Sequence, residues 1–346
     1  MHLTDQTPGR TVVIDNREHL FFSGFAYLGV HRSAQFQALI AAGLGRYGSL
    51  FPSSRIANVQ LSLYDELEHA FCALQGQQAA ACFSSGYLAG QAAIRYGQTK
   101  GEVLYAPGTH PALQLPGAVV PTGDWAQWAL ERINQKPDHT YVIAADSVNP
   151  LTATVNDFSA LQHINRKTLV IIDDSHGIGI LGEDGEGIIS YLPENPHLHY
   201  LVTASTGKAY SMEGGIITGK AADIAAIKRM PAFTASTPMM PALAYAWLNS
   251  QSIYAEARRK LEQNAQYFRD ITLGMPQLTQ AEALPMFILN GAQEVYDYLL
   301  HHETVISSFR YPSPDSPRLN RVVLSALHLQ QDLETVAGLL KRYYSA

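Results

Sequence analysis

What most constrains this chain is a set of short, predominantly apolar runs that stop abruptly on polar residues or glycine. AAACF (79–83), EVLYA (102–106), TYVIAA (140–145), TLVIID (168–173), LVTAS (201–205) and GIITG (215–219) recur, mostly separated by stretches of helical length. Such a run, apolar without alternation, is buried on both faces, and strands of this kind joined by helices build a parallel sheet between helical layers. Leu63, Leu67, Ala70, Phe71 and Leu74 show the helical spacing expected of one layer. After Pro241 the pattern changes to long helical stretches, with 242–271 read as one extended example, and then to a strand and an amphipathic helix at RVVLSALH and QQDLETVAGLLKRYY. No Pro/Gly/Ser-rich linker or repeat interrupts the chain. The expected organisation is therefore an N-terminal segment 1–45 that joins a small domain, a large α/β domain over 46–244, and a small α+β domain over 245–346.

Charge and cysteine usage narrow the classes of partner. Lys plus Arg number 24 against 30 Asp plus Glu, with no block of like charge, which argues against nucleic acid and anionic membranes. No run approaches the ~18 apolar residues that span a bilayer. The first residues, MHLTDQTPGR, lack a basic start followed by an apolar core, so a cytoplasmic location is expected. Cys72 and Cys82 lie in apolar surroundings that suit reduced core thiols. His197 with His199 and His301 with His302 have no carboxylate at metal-ligand spacing, so no metal site is expected.

Ligands of open α/β sheets bind beyond the carboxyl ends of the strands, which gives weight to the polar residues directly after each run. After AAACF come Ser84, Ser85, Gly86 and Tyr87, a turn that opens a helix and frees amide groups able to bind phosphate. The same turn could be a plain strand-to-helix connection. His110 follows EVLYA, where a loop histidine is by itself unremarkable, and Asp173, Asp174, Ser175 and His176 follow TLVII. Acidic groups ending an apolar strand are costly unless they meet a cation or strong donors, although an Asp or Ser can also serve as a helix cap. Lys208 follows LVTAS, ahead of the glycine pair in AYSMEGG.

Together these residues are far more specific than any of them alone. Pyridoxal phosphate requires a lysine amine for its aldehyde, a carboxylate to keep its ring nitrogen protonated, and a helix start with hydroxyl donors for its phosphate. Lys208, Asp173, and the Gly86 turn with Ser205 fill those roles, and His110 is placed to cover the ring face.

On these residues the chain resembles the α-oxoamine synthase group of fold-type I pyridoxal phosphate enzymes, within aminotransferase class I/II. The matching segments are YLGV (27–30), YDELE (64–68), FSSGYLAG (83–90), GTHPAL (108–113), VIIDDSHGIGILGEDGEG (170–187), TASTGKAYSMEGG (203–215), STPMMPA (236–242) and RVVLSALH (321–328), in the family's order over almost the whole chain. The resemblance implies the aspartate-aminotransferase-like fold, with a mostly parallel seven-stranded sheet in the large domain and a small α+β domain. It also implies pyridoxal 5'-phosphate held covalently by Lys208, with Asp173 on the ring nitrogen, His176 on the ring hydroxyl and His110 stacked on the ring. Ser85, Gly86, Tyr87 and Ser205 would hold the phosphate. Ser236 and Thr237 would reach the phosphate of a second subunit, making a homodimer with shared sites. Arg321 would receive the substrate carboxylate, and the implied reaction condenses an amino acid with an acyl-CoA.

Four departures fall on the substrate side of this pattern. Ala26 stands where the family places Asn or Asp before YLG. The bulky SLFPSSR (49–55) replaces a glycine-rich stretch and would crowd space the family leaves open. Pro150 occupies a serine position, and only 26 residues precede YLG, so most of the usual N-terminal helix is absent. These departures leave an aminotransferase or an aldolase-like lyase as the rival activity, and a catalytically silent partner subunit as a second rival.

Overall fold

The computed structural model describes residues 2–121, 125–135, 139–280, 283–291, 293–310 and 314–345, and the chain divides into two compact units. The larger holds 34–148 and 156–251. Its six-stranded sheet has the order Ala79–Phe83, Gly215–Gly219, Leu198–Ser205, Thr168–Asp173, Tyr141–Asp146, Glu102–Tyr105. The joins among the last four are parallel, whereas Gly215–Gly219 runs antiparallel to both of its neighbours. Every residue of Tyr141–Asp146 and Thr168–Asp173 is buried, as unalternating apolar runs require. Each buried Val or Ile there contributes about 1.5–3 kcal/mol.

Register matters more to function than strand count. Asp146 sits beside Asp173 on the parallel ladder, and Asp173 sits beside Thr203. The polar ends of three strands are thus brought level. Helix Gly86–Gln98 follows the first strand and lies close against the sheet, because its buried face is built from Ala89, Ala92, Ala93 and Gly97. A Cβ at Gly97 would come within 2.6 Å of Ile171 Cδ1.

The sheet has six strands among the described residues, not seven. Beyond the Glu102–Tyr105 edge the chain runs through PGAVVP (116–121) without strand pairing. Pro116 and Pro121 each lack the N–H that a ladder needs, and Gly117 takes a positive φ of 79°. Val119 is left 82% exposed.

The smaller unit holds 1–33, 149–155 and 252–346. Its sheet order is Thr11–Ile14, Arg17–Phe22, Thr304–Arg310, Arg318–Val323, Met286–Leu289, Leu278–Thr279. All joins are antiparallel except Arg17–Phe22 with Thr304–Arg310. Asp15 and Asn16, with φ of 49° and 61°, make the tight turn between the first two strands.

The unit boundaries fall at 33/34 and 251/252, where the sequence reading places them at 45/46 and 244/245. Helix Ala34–Tyr47 belongs to the larger unit because Gly43 lets it approach Ala242 of helix Pro241–Leu248, leaving room for no side chain. The extended helix expected over 242–271 is two helices, Pro241–Leu248 and Gln251–Ile271. Between them Ser250 Oγ and Asn249 Nδ2 donate to the carbonyls of Ala246 and Tyr245 and end the first helix.

Candidate active site

The strand ends of the larger unit carry a cluster of charged groups. Asp173 is buried and its Oδ1 accepts the Ser175 N–H at 2.9 Å. Asp146 ends the neighbouring strand, and both of its oxygens accept the His110 N–H at 3.2 Å. The loop after Glu102–Tyr105 is held down by Thr109, whose hydroxyl donates to Ala106 O at 2.6 Å. His110 then caps the short turn Pro111–Leu113, with Nδ1 accepting from Ala112 N.

Electrostatics show which groups converge. His110 is held below the usual histidine range by desolvation, with the charge of Asp173 opposing that shift and the charge of Lys208 reinforcing it. Asp146 is pushed well above the carboxylate range by burial and by Asp173, against the His110 amide and Lys208. Asp174, fully buried, is pushed up to about 7 by burial, with the same two neighbours acting on it. Charges act this way only at short range. Asp146, Asp173, Asp174, His110 and Lys208 therefore share one region, and Lys208 supplies its positive charge.

Lys208 projects from the turn that joins Leu198–Ser205 to Gly215–Gly219. That turn is closed by Thr206 N to Gly214 O at 3.1 Å, Met212 N to Thr206 O at 3.1 Å, and Thr206 Oγ1 to Met212 O at 2.7 Å. Ala209 and Tyr210, directly after the lysine, pack against Gly179, and the Tyr210 hydroxyl donates to Gly185 O. The lysine turn is thereby tied to the turn that follows Asp173.

The run DDSHGIGILGEDGEG is explained by Asp174. Its Oδ2 accepts the Ile188 N–H at 2.9 Å, and its carboxylate occupies the space that a Cβ on Gly177 or Gly187 would need. His176, half-buried, follows in the same turn.

At the first strand end, Ser85 caps helix Gly86–Gln98 by accepting from Leu88 N at 3.2 Å. A Cβ on Gly86 would overlap the Ser205 side chain. The helix start is pressed against Ser205, whose N–H donates to Ser175 Oγ and whose Oγ accepts from Gly207 N. The first amides of a helix lack intrahelical partners. A phosphate set here would meet those N–H groups and a hydroxyl together. Tyr87 is exposed beside them.

Ser236 Oγ donates to Ala232 O at 2.6 Å, within its own turn, and Thr237 is exposed. Nothing places these two hydroxyls with the strand-end cluster of the same chain.

Arg321 lies in the smaller unit, 9% exposed, in strand Arg318–Val323. Its Nη1 donates to Pro150 O at 2.6 Å and its guanidinium lies over the Phe309 ring, while its buried Nε has no hydrogen-bond partner. Burial pulls its pKa below the usual arginine value, and the nearby Tyr27 opposes this. Pro150, expected to contribute nothing through its side chain, serves through its carbonyl. Sequence reading missed Asp146, although it ends the run YVIAAD just as Asp173 ends TLVIID. It also missed Tyr27 as the buried neighbour of Arg321.

A strand-end acid, a lysine on the next turn and an anion cradle at a helix start define a cofactor site at the edge of an α/β sheet. The chain belongs to the aminotransferase class I and II family, whose model matches residues 53–340. A putative 8-amino-7-oxononanoate synthase of Desulfovibrio desulfuricans is 26% identical over 96% of this chain and 91% of its own length. The 8-amino-7-oxononanoate synthase of Pseudomonas putida KT2440 is 26% identical over 99% and 92%. Among solved structures, serine palmitoyltransferase of S. paucimobilis with a bound PLP-myriocin aldimine superposes with a TM-score of 0.86 at 18% identity, covering 99% of this chain and 92% of that one. The 8-amino-7-oxononanoate synthase of Francisella tularensis superposes with 0.75 at 20% identity, over 94% and 98%. The fold of the chain is the one these enzymes share.

Proposed function

We propose that this protein is a pyridoxal-phosphate-dependent transferase that condenses an amino acid with an acyl-CoA. The observation that carries the reading is the convergence of Asp173 and Lys208 at neighbouring strand ends, on the same sheet whose first helix presses its Gly86 start onto Ser205. The cofactor fits on two counts. Gly86 brings the free amides of the helix start against Ser205, where a phosphate could meet both, and a buried carboxylate stands ready for a cationic ring nitrogen.

When bound, pyridoxal phosphate supplies an electron sink for the α-carbon of the amino acid. Lys208 Nζ would hold its aldehyde carbon and Asp173 its ring nitrogen, with His176 at the ring hydroxyl and His110 against the ring. The N–H groups of Gly86 and Tyr87, with Ser85 and Ser205, would hold the phosphate. Lys208 Nζ would also be the base that removes the α-proton, which a neutral amine does best. His110, kept below the usual histidine value, can hydrogen-bond the thioester carbonyl. Arg321 would fix the substrate carboxylate, for which a bidentate guanidinium is suited. The new carbon–carbon bond joins the α-carbon to the acyl carbonyl as coenzyme A leaves as the thiol.

The protein would act in the cytoplasm as a homodimer, Ser236 and Thr237 completing the phosphate site of the neighbour. Among the described residues no helix is long and apolar enough to cross a membrane. Thr237 is exposed and Ser236 is only partly buried, which suits contact with a second subunit. The larger unit would hold the cofactor. An aminotransferase is the second reading, favoured by the loss of the glycine-rich stretch at 49–55.

The test is to load the purified protein with pyridoxal phosphate, reduce it with borohydride and map the adduct, expected on Lys208. Free thiol released from an acyl-CoA in the presence of an amino acid supports condensation. A keto acid formed without thiol release supports the aminotransferase instead. A protein that takes up no cofactor ends both.

A further inference from the structure

The lysine turn has a back wall that lies outside every motif role described above. Met239, 2% exposed, places its Cε where a Cβ on Gly214 would have to be, and Thr206 Oγ1 lies 3.0 Å from the same point. Gly214 and Thr206 form the closing pair of the turn, and the Thr206 hydroxyl is its internal latch to Met212 O. The methionine methyl is thus packed on Gly214, one of the two residues that close the chain's path through Lys208.

Met239 is itself held. Its carbonyl accepts the Tyr64 hydroxyl at 2.7 Å. Tyr64 is fully buried, with Phe51 edge-on to its ring at 6.1 Å and the Arg55 guanidinium 4.7 Å over its face. Arg55 is fixed in turn by Glu68 at 3.2 Å, whose second oxygen takes Lys228 and whose first also accepts the Cys82 N–H. Phe51 and Arg55 belong to SLFPSSR. That segment was expected to crowd open space, but Phe51 turns inward to brace Tyr64.

We propose that Met239, held by Tyr64, is a positioning residue for Lys208. The inference rests on the role given to Lys208 under Proposed function, and acts through the turn rather than by touching any ligand. A flexible thioether fills such an irregular gap well, and removing it leaves a void directly behind the latch.

The test compares Met239→Ala, Met239→Leu and Tyr64→Phe with a control, Leu261→Ala, which empties a buried position of the smaller unit. Three readouts are taken well below the melting temperature of each variant: kcat and KM for thiol release, the pH midpoint of the visible band of the lysine-bound cofactor, and the rate of Lys208 acetylation in cofactor-free protein. Met239→Ala is expected to lower kcat by about tenfold or more with little change in KM, since small misplacement of a reacting group is costly. It should also displace the band midpoint and speed Lys208 labelling by roughly threefold as the turn opens locally. Met239→Leu should restore most of each readout, and Tyr64→Phe should fall between. Wild-type values in Met239→Ala, or changes no larger than in Leu261→Ala, overturn the proposal. A wild-type protein without a visible band refutes the cofactor reading alone, since the acetylation rates still decide whether Met239 positions Lys208.

Discussion

Asp173 and Arg321 are both buried charges, and their surroundings differ in a telling way. Asp173 sits in a turn that has already given it an N–H donor, among neighbours whose own charges balance it in part. Arg321 has one backbone carbonyl, an aromatic face and a buried Nε without a partner. The carboxylate region is a scaffold tied by backbone donors to Asp173 and Asp174, although the buried Asp174 Oδ1 and Thr203 Oγ1 have no hydrogen-bond partner. The guanidinium has fewer protein partners, and an anion would add to them. The difference lies in the anchor: backbone amides hold the carboxylates, whereas one carbonyl and an aromatic face hold the guanidinium.

The sharpest way to break this comparison is Asp173→Asn. It keeps the shape of the strand end and removes the charge that the proposed ring nitrogen needs, so kcat should fall roughly 10²- to 10³-fold while cofactor is still bound. Unchanged turnover would show that the scaffold serves something else.

Arg321→Ala should weaken amino-acid binding by about 2 to 5 kcal/mol, well over tenfold, with cofactor binding unaltered. Arg321→Met sharpens the point. If the guanidinium is strained without an anion, the melting temperature of the unliganded methionine variant should equal or exceed that of the wild type. A clear loss of stability would mean that Arg321 is already satisfied where it stands.

Gly86→Ala tests the scaffold side. The added methyl would overlap Ser205, so a loss of about 1–3 kcal/mol in stability is expected from overpacking, with weaker retention of pyridoxal phosphate. Thermal unfolding with and without cofactor measures both.

The last test reads a slope. Asp174 titrates at about 7 when folded, above the ~3.9 of an unfolded aspartate. The folded state therefore binds the proton more tightly. The stabilising contribution is full below about pH 4 and is lost as pH rises towards 7, at about 1.4 kcal/mol per unit within that window. In cofactor-free protein, denaturant melts of Asp174→Asn should lack this component. An identical pH dependence in both proteins would refute it.

The scaffold side was the more legible of the two. Apolar runs such as TLVIID and LVTAS announce strands buried on both faces, and the polar residue that ends each one is placed by the sheet itself. Asp173 and Lys208 could be singled out for that reason, and Asp146 carries the same signal. The sequence runs number six, as the sheet does among the described residues, and the seventh strand came only from the resemblance. The break at Asn249 was hidden, since the apolar spacing continues through it. Arg321 could be named only by resemblance, as nothing local distinguishes it from Arg318, which is paired on the surface with Asp297.

By itself the sequence determined the strands, the turns that close them and which side chains stand at their ends, because those depend on local pattern and on the sheet rule that ligands meet strand termini. Only the tertiary structure decided that Asp174 fills the space two glycines leave, that Phe51 braces Tyr64 inward, that Met239 backs the lysine turn, and that Pro150 offers its carbonyl to Arg321. Each of these is a meeting of residues far apart in the chain, fixed by close packing and the pairing of buried polar atoms, and neither leaves a periodic trace in a linear sequence.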